Sequence, residues 1–384
     1  MYFLEKVDEK IEPLVHNINR HIESLDVRST ASFYDADMGG IPTQALLNRI
    51  CRKVHGSKPL SHYITYAHTK EAVGFSREKN PSFVCFTEYE PHEELEDICK
   101  NAKSVAIFGH HKGRDDLKEL TRRDNRFSYF NPRDYLEGDD LVLSERGIPI
   151  LYPFIKVAQL HKLETTFLDV LGTRGYGYKK LYDLMFQDKK PFAERDVDQA
   201  IDNIVLATSF RLKNCDKVVK ALEEADSPKH EAMKAVRKIC FENKLAGRKN
   251  RTIVDAIKES AVFGDAVQVF PVKTDFDIIK PFVSRLDEER EYGGYGATVC
   301  VQRSNNGSRK VSIRTGRSVN IPELLKLSHD GITYKNFGGH ERAGGFISSQ
   351  KDMKTILRNF LILYFSKTRQ NQRIGLEKLS SLDL

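Results

Sequence analysis

The chain has 384 residues, 40% hydrophobic and 30% charged, as expected of a soluble globular protein with two domains and a small linking part. No apolar run nears the roughly 18 residues of a membrane span, and "MYFLEKVDEKIEPL" does not read as a signal peptide, so a cytoplasmic protein with no membrane partner is expected. A net charge of +7 and a pI near 8.9 permit a polyanionic partner without demanding one. The six cysteines form no CxxC pair and no Cys/His zinc spacing, and read as reduced core residues.

The first 110 residues alternate strand and helix. An amphipathic helix is predicted over 11–25, then a buried strand over 29–35 and a helix beginning at Pro42. Strands follow at 61–68 and 82–89, a helix at 92–103 with acids in its first turn, and a strand at 104–109. This alternation predicts right-handed βαβ units and a mostly parallel sheet, with ligands at the C-terminal strand ends. The stretches 35–40, 88–89 and 109–112 fall at such ends. From 148 to 260 the pattern is helical, fitting an extension plus connector. After 261 strands return at 266–272, 297–303 and 310–316, with helices at 321–328 and 353–367. The stretch "EYGGYGATVC" (291–300) reads as a hairpin, with a base-stacking platform as the other option. The last residues, "LEKLSSLDL", read as a frayed tail or a short partner-binding peptide.

Three basic stretches hold few acids: 247–251, 302–318 and 367–373. The twelve histidines show no HExxH spacing, and His16, His21 and His161 read as structural. The pairs Asp115–Asp116 and Asp139–Asp140 read as solvated loop residues, with Asp139 or Asp140 facing a metal cleft as the other option, although no spacing compels it.

Two motifs carry more chemistry. In "GGHERAGGF" (338–346), glycines flank His340, and "VSIRTGRS" (311–318) precedes it. Such a backbone can approach an anion, with His340, Arg314 and Arg342 as donors. At the other end, "FYDADMGG" (33–40) runs a strand into an Asp-x-Asp and then a helix. Together with "SFVCFTEYEPHEELEDI", "IFGHHKGRDDL", "FNPRDYLEGDD" and "FLDVLGTRGYG", in this order, these resemble the DHH phosphoesterase superfamily, RecJ-like branch, over nearly the whole chain. The resemblance implies an α/β fold of three parts: a mostly parallel-sheet DHH domain (1–147), a helical extension and connector (148–260), and a smaller α/β DHH-associated domain (261–384). The third would hold a nucleic-acid backbone through Gly338, Gly339, His340, Arg342, Gly344, Arg314 and Arg317, although Asn336 and Phe337 replace part of the usual glycine run.

Against the family's His-x-Asp-x-Asp-Gly, one register puts Asp35 at the His, Asp37 at the first Asp, Gly39 at the second and Gly40 at the Gly. Another makes Asp35 and Asp37 the Asp-x-Asp itself, with one residue inserted. The second motif's acid falls on Glu88 or Thr87, the Asp of Asp-His-His on Gly109 before His110 and His111, and the Gly-Thr-x-x-Asp acid on Tyr176. A two-metal hydrolytic site needs several carboxylates to balance two divalent ions. The remnant set is Asp35, Asp37, Glu88, His110 and His111, with Asp37 and His110 able to hold one ion weakly and no cofactor expected. The reading favoured is a degenerate RecJ-like protein that binds single-stranded DNA, with RNA left open. It would act as a structural part of replication or repair, as archaeal-type members with decayed sites do in joining the GINS complex and the MCM helicase. The alternative is an active exonuclease using Mn²⁺ or Mg²⁺ at a rearranged site, with His340 and Arg314 gripping phosphate. A purely protein-binding module is the third option.

Overall fold

The computed structural model describes residues 2–65, 69–91, 94–110, 114–136, 148–175, 179–187, 189–264, 266–303, 308–316, 319–329, 332, 335–340, 342–368 and 375–382. Its contacts divide the chain into two compact units, Met1–Asn243 and Lys244–Leu384.

The first unit opens with helix α1 (Tyr2–Ser24), strand β1 (Thr30–Asp35) and helix α2 (Gly40–His55). Then come β2 (Leu60–Ile64), α3 (Thr69–Lys79), β3 (Phe83–Thr87), the short α4 (Leu95–Ile98), β4 (Ser104–Phe108), α5 (Asp115–Arg123), β5 (Phe127–Phe130) and α6 (Arg133–Leu136). The five strands form one sheet in the order β2-β1-β3-β4-β5, with every neighbouring pair parallel. On one face Phe33, Phe86, Val105 and Ile107 pack with Ala72, Leu95, Ile98 and Leu117 from α3 to α5. On the other, Phe108 stacks on Phe130 at 5.0 Å between ring centroids and meets Phe154 edge-on. Helices α7 (Leu151–Leu160), α8 (Thr166–Gly175), α9 (Lys179–Met185), α10 (Glu194–Phe210), α11 (Cys215–Glu224) and α12 (Met233–Glu242) complete the unit.

Several expectations change here. Of the helix expected over 92–103, the described residues keep only α4, because β4 begins at Ser104 and the residues after Ile98 must turn the chain back into the sheet. Asp115 and Asp116 lie not in a loop but in the first turn of α5, where acids meet the positive end of the helix dipole. Asp139 and Asp140 lie outside the described residues. His21 and His161 are structural: burial pushes His21 down to about 4 as it packs on Phe108 and Phe130, and His161 Nε2 lies 2.8 Å from Asn19 Oδ1.

The second unit runs α13 (Leu245–Lys258), β6 (Ala261–Phe263), β7 (Val267–Val272), α14 (Lys280–Tyr292), β8 (Ala297–Arg303), β9 (Arg309–Thr315), α15 (Ile321–Ser328), β10 (Lys335–His340), β11 (Ala343–Ser348), α16 (Gln350–Lys367) and α17 (Lys378–Ser381). Its six strands are ordered β10-β11-β9-β8-β7-β6. Strand β7 pairs with β8 in parallel, so the chain between them must cross over, and α14 makes that crossing. The "EYGGYGATVC" stretch is therefore the end of α14 leading into β8, not a hairpin. Alternation on β9 sends Val311 and Ile313 into a core with Val299, Leu325, Phe360 and Tyr364. Leu379 is buried in the same core, so the described part of the "LEKLSSLDL" segment, residues 376–382, is anchored through α17 rather than frayed. All six cysteines are buried, and none is in a disulfide.

Candidate functional site

Parallel pairing fixes what meets at the C-terminal edge of the first sheet. Tyr34 is level with Thr87, and Thr87 with Phe108, so the residues that follow (Asp35, Glu88 and Gly109) share one edge. The Glu88 amide donates to the Phe108 carbonyl at 2.9 Å and the Gly109 amide to the Phe130 carbonyl at 3.0 Å, carrying the ladder one residue past the strands. The structure thus brings Asp35, Asp37, Glu88 and His110 to the same edge; His111 and Tyr176 lie outside the described residues.

Asp37 works first as a helix cap. Its Oδ1 accepts from the Gly39 amide at 2.8 Å and the Gly40 amide at 3.0 Å, satisfying donors that the first turn of α2 leaves open. Gly40 can be nothing larger, since a Cβ there would lie 2.2 Å from the Asp35 carbonyl oxygen.

Glu88 holds a left-handed backbone, φ 58°, a conformation that costs a non-glycine residue about 1–2 kcal/mol. Its carboxylate forms an ion pair with His110 Nδ1, and both side chains are 1% exposed. Burial alone would lower the His110 pKa; the carboxylates of Glu88, then Glu90 and Asp37, outweigh it and raise the pKa above its ordinary value.

Glu90 is the acid that motif matching missed. It is fully buried, its Oε1 accepts from the Tyr129 hydroxyl at 3.0 Å, and its Oε2 lies 3.4 Å from Arg114 Nη1. A Cβ built on Gly109 would lie 2.0 Å from Glu90 Oε1. The Glu90 carboxylate therefore occupies the space that a side chain at 109 would enter. Burial, then Glu90, raises the pKa of Tyr129, keeping that hydroxyl a donor. Arg114 also donates to the Glu90 carbonyl at 3.2 Å, to the Pro91 carbonyl at 2.9 Å and to Asp116, while Arg133 Nε donates to the His110 carbonyl at 2.8 Å. Among the described residues, no group of three or more His, Cys, Asp or Glu side chains is placed to hold a metal ion.

Below this edge lies a buried polar network. Gln44 Oε1 accepts from Ser32 at 2.7 Å and Thr87 at 3.0 Å, and its Nε2 donates to Asn48 at 2.8 Å and Ser61 at 3.2 Å. One side chain of α2 thus ties together β1, β2 and β3. Asn48 passes the network to the buried Glu223 of α11 at 2.6 Å, which Lys58 and Arg52 also neutralise. The sequence signal was a Gln and an Asn four apart within an apolar helix face.

In the second unit, register organises the other predicted residues. His340 pairs with Ala343, Ala343 with Arg314 and Arg314 with Thr298, a row across four strands. The next row on the same face is Gly338, Gly345, Ser312 and Cys300. Thr298 is covered by α14, its hydroxyl donating to Asp287 at 2.6 Å, whereas Lys310, Ser312 and Arg314 on β9 are half-buried. Gly345 allows a close approach of β11 to β9, as its Cβ would sit 2.5 Å from the Val311 carbonyl oxygen. Gly339 pairs with Gly344 in the intervening row. Arg342 is exposed and its carbonyl accepts from Thr315, whereas Arg317 lies outside the described residues. No described helix is long and apolar enough to cross a membrane.

No protein-family model matches the sequence, and no curated protein matches it. Solved structures do resemble it. The DHH domain of a member of a ribosomal-protein family superposes with a TM-score of 0.64 at 12% identity, over 97% of this chain and 93% of that one. RecJ from Thermus thermophilus in complex with Mn²⁺ gives 0.61 at 14% identity over 94% of this chain, which spans 55% of that RecJ. An exonuclease RecJ bound to manganese gives 0.57 at 13% identity, over 91% of this chain and 93% of that one. With its all-parallel five-stranded sheet, its helices and its second, six-stranded sheet, the chain has a RecJ-like α/β fold.

Proposed function

We propose that this chain is a catalytically degenerate RecJ-like protein that binds single-stranded nucleic acid and serves as a structural component in DNA replication or repair. The observation that carries this reading is the commitment of the acidic edge. A pair of divalent ions needs several carboxylate oxygens open to it. Here Asp37 caps α2, Glu88 pairs with His110, and Glu90 fills the space beside Gly109 against Tyr129 and Arg114. That donor set does not fit two closely spaced metals, and no hydrolytic step is derived through them.

Binding is assigned to the second unit. Lys310 and Arg314 alternate with Ser312 along one half-buried face of β9, beside glycines that let a sugar–phosphate backbone come close. Cationic contacts of this kind release counterions, so the affinity falls with salt, about 0.7 in log–log slope per phosphate neutralised on a single strand. The GINS complex and the MCM helicase are the proposed partners, on the family resemblance alone.

The test is fluorescence anisotropy with labelled single strands at two salt concentrations, with a nuclease assay across Mn²⁺, Mg²⁺, Co²⁺ and Zn²⁺. Salt-sensitive binding without cleavage is expected. Absent binding at low salt would remove the binding half. Metal-dependent cleavage abolished by Asp37→Ala/His110→Ala would establish an enzyme instead.

A further inference from the structure

We propose that the acidic edge of the first unit is compensated from within the chain: the carboxylate has been transposed from position 109 to Glu90, and the guanidinium groups of Arg114 and Arg133 supply positive charge there that divalent ions would otherwise bring. This rests on the non-hydrolytic reading of the same unit and gives its physical cause.

The transposition is steric. A Cβ at 109 would meet not only Glu90 Oε1 at 2.0 Å but its Cδ and Cγ, both at 2.6 Å. An aspartate at 109 and the present Glu90 rotamer therefore exclude each other, and glycine is what this arrangement permits. Glu90 reaches the space on a longer arm from the segment after β3. It is fixed there, because Tyr129 donates to it and Asn131 Nδ2 in turn donates to the Tyr129 oxygen at 2.7 Å.

The charge is supplied locally. The Arg114 side chain is 11% exposed and its guanidinium is held on several sides: by Glu90, by the Glu90 and Pro91 carbonyls, and by both Asp116 oxygens at 2.8 Å. A planar guanidinium clamped this way is a permanent counter-charge that cannot leave with a chelator. Arg133 is placed at the end of β4 by its bond to the His110 carbonyl, and His110 faces Glu88. Glu90 thus has a resident guanidinium and Glu88 is engaged by His110, which lowers the electrostatic drive to capture a hard divalent ion at this edge.

Thermal unfolding of the full chain in EDTA and in millimolar MnCl₂ tests this directly. The same midpoint is expected in both, with no Mn²⁺ retained after desalting by electron paramagnetic resonance. An ion at a hundredfold its Kd would raise the midpoint by roughly 5–10 °C, and such a rise overturns the proposal. The exchange is tested by Gly109→Asp, which should lower the midpoint by several degrees or prevent folding. Glu90→Ala/Gly109→Asp should recover most of the loss. A Gly109→Asp protein as stable as wild type, or no recovery in the double variant, refutes the transposition. Loss of DNA binding would defeat the functional reading while leaving metal indifference intact, so the two fail separately.

Discussion

Glu88 and His110, at the ends of neighbouring strands β3 and β4, form an ion pair whose two side chains are each 1% exposed. Such a pair adds little net stability over apolar residues, but removing one partner leaves a charge with neither water nor its counter-ion. Glu88→Gln and His110→Ala should each destabilise the first unit by about 3 kcal/mol. The double variant should cost less than the two together, by an interaction energy of about 1–3 kcal/mol. Urea unfolding followed by circular dichroism gives the cycle. Strict additivity would show that the pair does not act as one.

Gln44 bonds to four side chains on α2 and three strands. Gln44→Ala strands the Ser32 and Thr87 hydroxyls in the interior as well as opening a cavity. A loss of about 2–4 kcal/mol is expected. Gln44→Glu, of the same shape, should also destabilise, since it replaces two donors with charge; equal stability by urea titration would contradict the network.

Asp169 on α8 is buried, Thr165 donates to its Oδ2 at 3.0 Å, and burial pushes its pKa up to about 7. The folded chain therefore keeps a proton there that the unfolded chain releases near pH 4. The stability contributed by this raised pKa is complete below pH 4 and is lost progressively as pH rises to about 7. Asp169→Asn removes that dependence, so it should stabilise the first unit at pH 8 by about 2 kcal/mol and flatten the slope between pH 4 and 7. Unchanged slopes in pH-resolved urea unfolding would contradict this.

Lys310 and Arg314 are the residues on β9 proposed to contact phosphate. Replacing either with alanine should weaken single-strand binding and reduce the salt slope by about 0.7 for each phosphate no longer neutralised. Thermal stability should change little, as both side chains are half-buried rather than core. Anisotropy titrations over a salt series measure both, and an unchanged slope would place the binding surface elsewhere.

Much of the architecture is legible in the sequence because it rests on period and punctuation. The buried strand at 29–35, the strands at 104–109, 266–272, 297–303 and 310–316 and the helices at 321–328 and 353–367 stand close to where hydrophobic spacing puts them, whereas α2 opens two residues before Pro42 and the glycines of β10 and β11 hide a strand pair. Helix α3 is hard to read because "TKEAVGFSREK" buries only Ala72 and Ser76 and carries a mid-helix glycine. Strand β5 is hidden because four residues are too few to show a period. The site is half-readable. Asp37, Glu88 and His110 follow from motif order, but Glu90 lies two residues beyond Glu88 and is recognised only when the space beside Gly109 is seen to be filled. Arg114 likewise reads as one more surface cation, and only its guanidinium's grip on the loop after β3 shows otherwise.

The four-way anchoring by Gln44 has a consequence for how such a protein can change over generations. The rim of carboxylates is mounted on a frame whose rigidity comes from amides and hydroxyls one layer deeper, so acids can be lost, lengthened or relocated without the scaffold coming apart. A scaffold braced at that depth would hold its shape whatever the rim above it does.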